Sequence, residues 1–258
     1  MRSISEVYPT IIVVSALLAL TLTVLPLGYA MLTASMQRSE YEYVKQVFKS
    51  IASSFPNIIA VGEYSAVIPS HYTSLGYGRA GVIEVYLNGS STPALIFNCT
   101  ALTLGASVSN PEGLVYGSGY YLVNDSRFIP RVYEYRDRSS SLMITELDAC
   151  RLLVDASVVL TGNLTGYYYI LTYYNITVAG FKGTGGSIRV TPTSIRHVYT
   201  NINASLWDLK ITFIDEVLKS RVTYGVVNLT EVGLGGRCTG VPFSLDIIVV
   251  DLLVEVGA

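Results

Sequence analysis

The stretch that decides the fold is IIVVSALLALTLTVLPL, residues 11–27, near the N-terminus of a 258-residue chain. No ionisable side chain other than Tyr8 and Tyr29 lies between Glu6 and Arg38. A bilayer core about 30 Å thick is crossed by roughly 20 apolar residues in a helix, and residues 11–32 meet that length. The sequence therefore predicts a membrane helix, with a bend near Pro26, where a backbone N–H is missing.

Downstream of this run the pattern becomes amphipathic. Apolar residues recur at three- and four-residue steps, which is typical of a helix with one buried face: Tyr41, Val44, Val47, Phe48, Ile51, Ala52 and Phe55. Charged residues fill the other face, and Pro56 with Asn57 is expected to end the element. We therefore expect one helix over residues 4–55, on the order of 75 Å long at about 1.5 Å per residue.

The first residues carry a resemblance to a known family. The sequence RSISEV of residues 2–7, followed by TIIVV, resembles the class III signal of archaeal type IV pilins and their relatives. In that family a membrane peptidase removes a short leader after a basic and a small residue. The resemblance implies that residues 1–3 are the leader, with Arg2 as the basic residue, Ser3 as the small residue and Ile4 as the new N-terminus.

The same resemblance implies how the helix is used. In pilins the apolar helix leaves the membrane and packs into a filament core, and an early glutamate pairs with the freed amino terminus of a neighbouring subunit. Here that pair is Glu6 with Ile4. A plain signal-anchor helix is the alternative, because an apolar run of this length also serves as a simple anchor.

Composition excludes nucleic acid as an expected partner. The chain has 17 Lys plus Arg against 19 Asp plus Glu, and a net charge of -2, so no basic face is available for phosphates. Only 14% of residues are charged, whereas about 25% is usual for a soluble domain. Another solubilising group is therefore needed.

N-glycans would meet that need. Seven of the ten asparagines lie in N-x-S/T acceptor sequences, far more than chance pairing gives, although two or three of these are consistent with ordinary turns. The candidates are Asn88, Asn98, Asn124, Asn163, Asn175, Asn203 and Asn228. Glycans are bulky and solubilising, so we expect the domain to lie outside the cell.

Twenty tyrosines against seven phenylalanines suit a half-exposed β surface. The densest cluster, within residues 167–174, favours cross-strand packing, and a stacking platform for sugars is the alternative. Strands are predicted over residues 81–87, 94–97, 113–123, 141–146, 156–160, 167–178, 187–191 and 195–200. A helix over residues 205–221 with Trp207 packed on the sheet, and a hairpin of residues 222–229 with 244–256, are predicted to end the chain.

The predicted fold class is thus α+β: a long N-terminal hydrophobic helix followed by a β-rich, Tyr-rich extracellular domain with one short C-terminal helix. Residues 1–3 form the candidate leader, residues 4–55 the helix and residues 56–258 the domain. That last helix and hairpin loosely resemble the ends of some archaeal pilin-like proteins. A division of the domain near residues 155–166 is the alternative.

No motif predicts catalysis, a cofactor or a metal. The GYGRAG sequence of residues 76–81 precedes a predicted strand, whereas a dinucleotide-binding loop follows one. His71 and His197 are isolated, and nothing makes two of the nearby carboxylates face each other across a cleft: Glu134, Asp137, Glu146, Asp148 and Asp155. We therefore expect a protein that is not an enzyme.

Three cysteines allow one disulfide in an oxidising exterior. Cys150 with Cys238 is the expected pair, because Cys99 lies inside an acceptor sequence, where a disulfide could crowd glycosylation. The alternative is three buried, reduced cysteines.

The resemblance to the class III signal implies a structural subunit of an archaeal type IV pilus-like surface filament, as a major, minor or adhesive pilin. Its expected partners are copies of itself or related pilins, the membrane, a leader peptidase and the assembly machinery. It would lie in the cell membrane before assembly and in the extracellular filament afterwards. The alternatives are a single-pass anchored binding ectodomain that does not polymerise and a membrane-tethered enzyme.

Overall fold

The computed structural model describes residues 4–69, 71–161, 164–180, 186–225 and 243–257. One helix, α1, runs from Ile4 to Val61 and is followed in this described part by strands and a short 3-10 helix at Ser126–Phe128. The strands are β1 (Tyr64–Ile68), β2 (Ser74–Leu87), β3 (Leu95–Ala106), β4 (Gly113–Tyr116), β5 (Leu122–Val123), β6 (Arg131–Arg136), β7 (Met143–Asp148), β8 (Leu152–Thr161), β9 (Leu164–Ala179), β10 (Gly186–Leu206), β11 (Leu209–Asp215), β12 (Ser220–Gly225) and β13 (Phe243–Gly257). The coarse prediction, a long apolar helix before a strand-rich domain, is confirmed.

The strands form two sheets. The first has the order β1-β10-β13-β9-β8-β5, and the second has the order β12-β11-β2-β3-β7-β6-β4. Neighbours are antiparallel except for β13 with β9 and β5 with β8. One buried cluster fills the space between the sheets, and a second joins both sheets to the C-terminal half of α1.

The predicted amphipathic face of α1 is confirmed. All seven apolar residues of the predicted stripe are buried, none more than 8% exposed. The helix continues past the predicted stop at Pro56, because Ile58 extends the same stripe and is also buried. It ends at Gly62, whose positive φ of 101° and N–H bond to the carbonyl of Ile58 are typical of a helix C-terminus.

Most predicted strands lie inside observed ones, but the predicted strand over residues 113–123 is divided between β4 and β5. The tyrosine-rich run lies in β9, where Tyr169, Tyr173 and Tyr174 are buried. Tyr173 stacks on Phe97 of β3 with ring centroids 4.7 Å apart. This segment therefore contributes aromatic packing to the interior.

The predicted C-terminal helix over residues 205–221 is wrong. Residues 209–215 form β11, which pairs with β2 and β12. Leu209, Ile211 and Phe213 are buried at two-residue spacing, which is the strand period. The helical spacing of the leucines and Phe213 was a coincidence in a β-branched segment. Trp207 lies exposed in the connection from β10 to β11 and packs no helix onto the sheet.

The predicted hairpin of residues 222–229 with residues 244–256 is also wrong for the described residues. β12 pairs with β11 in the second sheet, whereas β13 lies in the first sheet between β10 and β9. The nearly continuous aliphatic run of β13 suits a central strand that is covered on both faces, and a terminal hairpin would leave it less covered.

The predicted Cys150–Cys238 disulfide is wrong. Cys150 is bonded to Cys99, with their Cα atoms 5.3 Å apart, and Cys238 lies outside the described residues. β3 and β7 are paired, which brings the two cysteines together. The disulfide does not crowd the acceptor, because neighbouring residues of a strand point to opposite faces: Asn98 is exposed while Cys99 is buried.

Loss of this disulfide is expected to destabilise the domain. The bond closes a loop with a sequence separation of 51 residues. Replacing Cys99 and Cys150 by alanine should lower the free energy of unfolding by about 2–4 kcal/mol, which urea denaturation measures. Wild-type protein in reductant should show the same midpoint as the variant. Equal midpoints for oxidised wild type and variant would contradict the prediction.

Candidate membrane and assembly surface

The N-terminal half of α1 extends away from the rest of the described structure. We call residues 11–36 the apolar arm; apart from the half-buried Thr33, all of its residues are exposed. It belongs to a helix that is long enough and apolar enough to cross a membrane. At about 1.5 Å per residue the arm extends roughly 39 Å, which exceeds the bilayer core.

Three threonine hydroxyls of the arm are satisfied within the helix. The hydroxyls of Thr21, Thr23 and Thr33 donate to the backbone carbonyls of residues three or four positions earlier in the helix, at 2.9–3.0 Å. A hydroxyl satisfied in this way needs no water. The arm is therefore suited to a surrounding of lipid or of other apolar helices.

The next part of the helix is held inside the domain. We call residues 40–58 the stem. The Tyr41 hydroxyl donates to Glu134 of β6 at 2.9 Å and lies 2.6 Å from the Thr145 hydroxyl of β7. Lys45 of the stem pairs with Glu134 at 3.3 Å and with Glu42 at 2.7 Å. Polar bonds to the second sheet thus add to the apolar packing of the stem.

Glu40 fixes the point where the arm meets the domain. Its carboxylate accepts the backbone N–H groups of His71, Tyr72 and Thr73 at 3.0–3.1 Å and the Thr73 hydroxyl at 2.7 Å. Burial acts to raise the pKa of Glu40, but these hydrogen bonds outweigh it and hold the pKa below its usual value. Gln37 donates to the carbonyl of Tyr72 at 3.1 Å. Hydrogen bonds to the β1–β2 connection therefore hold the helix in place where the arm ends.

The sequence reasoning did not single out this junction. The spacing of the charged residues predicts that Glu40 lies on the exposed face of the amphipathic helix, yet it is buried. The position of Glu40 directly before the apolar stripe was the one local signal that it is buried. The residues that bind its carboxylate lie more than 30 positions away in the chain.

The residues implied in processing and registration lie at the beginning of the helix. Arg2 and Ser3 are outside the described residues. Ile4 is the first residue of α1, and Glu6 lies in its first turn. Their roles stay predictions.

The described acceptor asparagines fall into two groups. Four are exposed: Asn88, Asn98, Asn124 and Asn203. Asn175 is half-buried, and its Nδ2 atom donates to Asp251 of β13 at 2.8 Å. Asn163 and Asn228 lie outside the described residues. Asn175 is therefore the least accessible acceptor of those described.

The carboxylates considered for catalysis have other surroundings. Glu146 and Asp148 are buried with Arg131, Arg151 and Asp215. Arg131 pairs with Asp148 at 2.8 Å and with Asp215 at 3.1 Å, and Arg151 pairs with Asp148 at 2.8 Å. These groups form an internal ion-pair network and do not face each other across an open cleft. Of the others, Glu134 binds the stem, Asp137 accepts from the turn at Ser139 and Ser140, and Asp155 is exposed.

The network contains three carboxylates against two guanidinium groups. Burial raises the pKa of Glu146 to about 8, and the charge of Asp148 adds to this effect, while Arg131 opposes it. Oε1 of Glu146 has no hydrogen-bond partner in the described structure and lies 3.9 Å from Arg131. The raised pKa favours the protonated form of Glu146, and with Glu146 protonated the network is neutral.

This proton makes stability depend on pH. Because the folded pKa of Glu146 lies above the unfolded value of 4.5, its contribution is complete below pH 4.5 and is lost as the pH rises towards 8. Between pH 5 and 8, wild type should lose about 3 kcal/mol more of its free energy of unfolding than Glu146→Gln does, as measured by urea titrations at each pH. The exposed Glu112→Gln is the control and should follow wild type. Parallel pH profiles for wild type and Glu146→Gln would refute the assignment.

Among the described residues, no group of three or more His, Cys, Asp or Glu side chains is arranged to hold a metal ion. Comparison with family models, with curated proteins and with solved structures finds no match for this chain.

Proposed function

We propose that this protein is a structural subunit of an archaeal type IV pilus-like surface filament and that it assembles through α1. The observation that carries the proposal is the uncovered apolar arm, which continues without interruption into a stem buried in a strand-rich domain. One helix thus connects an exposed apolar surface to the strand-rich domain.

Two surroundings can cover the arm. A bilayer does so before assembly, and a bundle of arms from neighbouring copies does so in a filament. Both remove apolar area from water at about 25 cal/mol per Å2, so transfer from lipid to bundle exchanges one apolar surrounding for another. The satisfied threonine hydroxyls of the arm suit either surrounding.

The stem and its junction support assembly over simple anchoring. In a filament every subunit makes the same contacts with its neighbours. Each strand-rich domain must therefore be held at one fixed position relative to its arm. Glu40 ties the arm base to the β1–β2 connection, and Tyr41 ties the next turn to β6 and β7. A simple anchor needs no such fixed junction.

The beginning of the chain completes the proposal by its resemblance to the class III signal. A leader peptidase would cut between Ser3 and Ile4, and Glu6 would pair with the amino group of Ile4 on the neighbouring subunit. Leaving Glu6 unpaired in an apolar bundle would be costly, so the pair would select the correct register. The ectodomain would lie outside the cell as part of the filament.

The second candidate is a single-pass anchored ectodomain that binds a ligand and does not polymerise. The length of the arm favours it equally, because residues 11–36 suffice for one crossing. The two functions differ in whether arms from different copies touch each other.

Shearing of cells that produce the protein separates the two. A filament subunit is released with surface fibres, which an antibody against the domain should decorate along their length in electron micrographs. A simple anchored protein stays with the membranes and is extracted only by detergent. Recovery of all the protein in the membrane fraction would overturn filament assembly.

A further inference from the structure

Trp207 is the sole tryptophan of the chain and is 56% exposed. It lies between β10 and β11, beside the turn that joins β2 to β3. The exposed part of the indole ring is apolar surface, which a covering group would remove from water.

Asn88, in the β2–β3 turn, is held against this tryptophan. The side-chain oxygen of Asn88 accepts the backbone N–H of Trp207 at 3.1 Å, and the backbone N–H of Asn88 donates to the carbonyl of Asp208 at 2.9 Å. These two bonds fix the orientation of the amide. Its Nδ2 atom has no partner among the described residues, and Asn88 is exposed.

Gly89 lets the indole ring approach the turn. Its φ is +71°, and a Cβ atom added there would lie 3.3 Å from the Trp207 ring. The ring therefore lies close against the backbone of the residue that follows Asn88. An Asn amide with a free nitrogen and an exposed aromatic face are thus side by side.

We propose that Asn88 carries an N-linked glycan whose first sugar packs its C–H face on the Trp207 indole. Asn88-Gly89-Ser90 is an acceptor sequence, and Nδ2 is the atom to which a sugar is attached. The proposal rests on the export of the domain that the proposed function includes. The packed sugar covers the exposed ring and fixes the orientation of the glycan at this end of the second sheet.

The attachment is a glycosyl transfer from a lipid-linked glycosyl phosphate. The bond between sugar C1 and the phosphate oxygen breaks, and a bond between C1 and Nδ2 of Asn88 forms. Nδ2 loses one proton, and the phosphate leaves with the electron pair of the broken bond. No oxidant or reductant takes part.

Asn175 provides the contrast. Its Nδ2 atom donates to Asp251, and the same carboxylate accepts from Arg196 at 2.7 Å. Attachment of a sugar to the folded chain would break this network. Asn175 therefore stays unmodified although its sequence is an acceptor.

Glycopeptide mass spectrometry of the native protein tests the modification. The expected result is a sugar on the peptide that contains Asn88 and none on the peptide that contains Asn175. An unmodified Asn88 overturns the proposal. Mass spectrometry detects the sugar in membrane-bound protein and in filaments alike. Its outcome therefore does not depend on whether the protein assembles into filaments.

Fluorescence tests the packing, because Trp207 is the sole tryptophan. Ser90→Ala removes the acceptor while keeping Asn88 and Gly89. Acrylamide quenching of Trp207 should then rise about twofold, because the sugar covers part of the exposed indole ring. Ser90→Thr keeps an acceptor sequence and should quench as wild type does.

A second control removes a distant acceptor. Thr100→Ala removes the acceptor at Asn98, which pairs with Val82, six residues from Asn88 along β2 and so roughly 20 Å away. Quenching in this variant should equal that of wild type. Equal quenching in wild type and Ser90→Ala, with Asn88 glycosylated in the wild type, would overturn the packing of the sugar on Trp207.

Discussion

Leu20→Arg is expected to remove the protein from sheared surface fibres while leaving the unfolding of its domain unchanged. Leu20 lies near the middle of the apolar arm and is 59% exposed. A guanidinium at the centre of a membrane helix costs about 2.5–3.5 kcal/mol in insertion, and a bundle of identical arms repeats the unpaired charge in every copy. The effect on assembly should therefore exceed the effect on membrane retention.

Leu20→Ile is the matched control, because it keeps the size and apolar character of the side chain. Its yield in sheared fibres should equal that of wild type. Thermal unfolding of the detergent-extracted proteins should be the same for all three, since Leu20 is exposed and belongs to neither buried cluster of the described residues. Wild-type recovery of Leu20→Arg in fibres would contradict an apolar bundle of arms.

Phe48→Ala is expected to give the largest loss of domain stability, about 3–5 kcal/mol in urea denaturation. Phe48 belongs to the stem, is fully buried, and lies in the cluster that joins α1 to both sheets. Its removal leaves a cavity at the point where three layers meet. A protein of ordinary stability has about 5–15 kcal/mol in total, so the variant should be largely unfolded under mild heating.

Lys49→Ala is the control for this prediction. It changes the neighbouring residue on the exposed face of the same helix and should alter the free energy of unfolding by less than about 0.5 kcal/mol. A loss below about 1 kcal/mol for Phe48→Ala would mean that the stem is attached to the domain without being part of its core.

The helix was predictable because its signals are local. Residues 11–32 are mostly aliphatic and carry no charged side chain, and the stripe from Tyr41 to Phe55 repeats at the helical period. The end was missed because Pro56 removes one hydrogen bond, whereas the burial of Ile58 against the sheets is visible only in three dimensions. Packing outweighed the local stop signal.

The errors in the C-terminal part have the same origin. Leu209 and Phe213 fit both a helix and a strand, and only pairing of β11 with β2 decides between them. The partners of β13 are β10 and β9, neither of which is adjacent to it in the described sequence. Pairing between strands that are far apart in the chain cannot be predicted from the residue pattern of a short segment.

The apolar arm could be predicted from the sequence, whereas the hydrogen bonds that hold the stem to the domain could not. The arm follows from composition alone. The bonds of Glu40 to residues 71–73 and of Tyr41 to Glu134 join residues that are far apart in the chain. The Cys99–Cys150 bond depends likewise on the pairing of β3 with β7.

In the proposed filament, Ile4 begins the mature subunit. Peptide mass spectrometry of the N-terminus, performed on sheared and purified surface fibres, tests it most directly. The expected result is a terminal peptide that begins at Ile4, without residues 1–3, in the fibre fraction. A chain that retains residues 1–3 and is found only in membranes would contradict it.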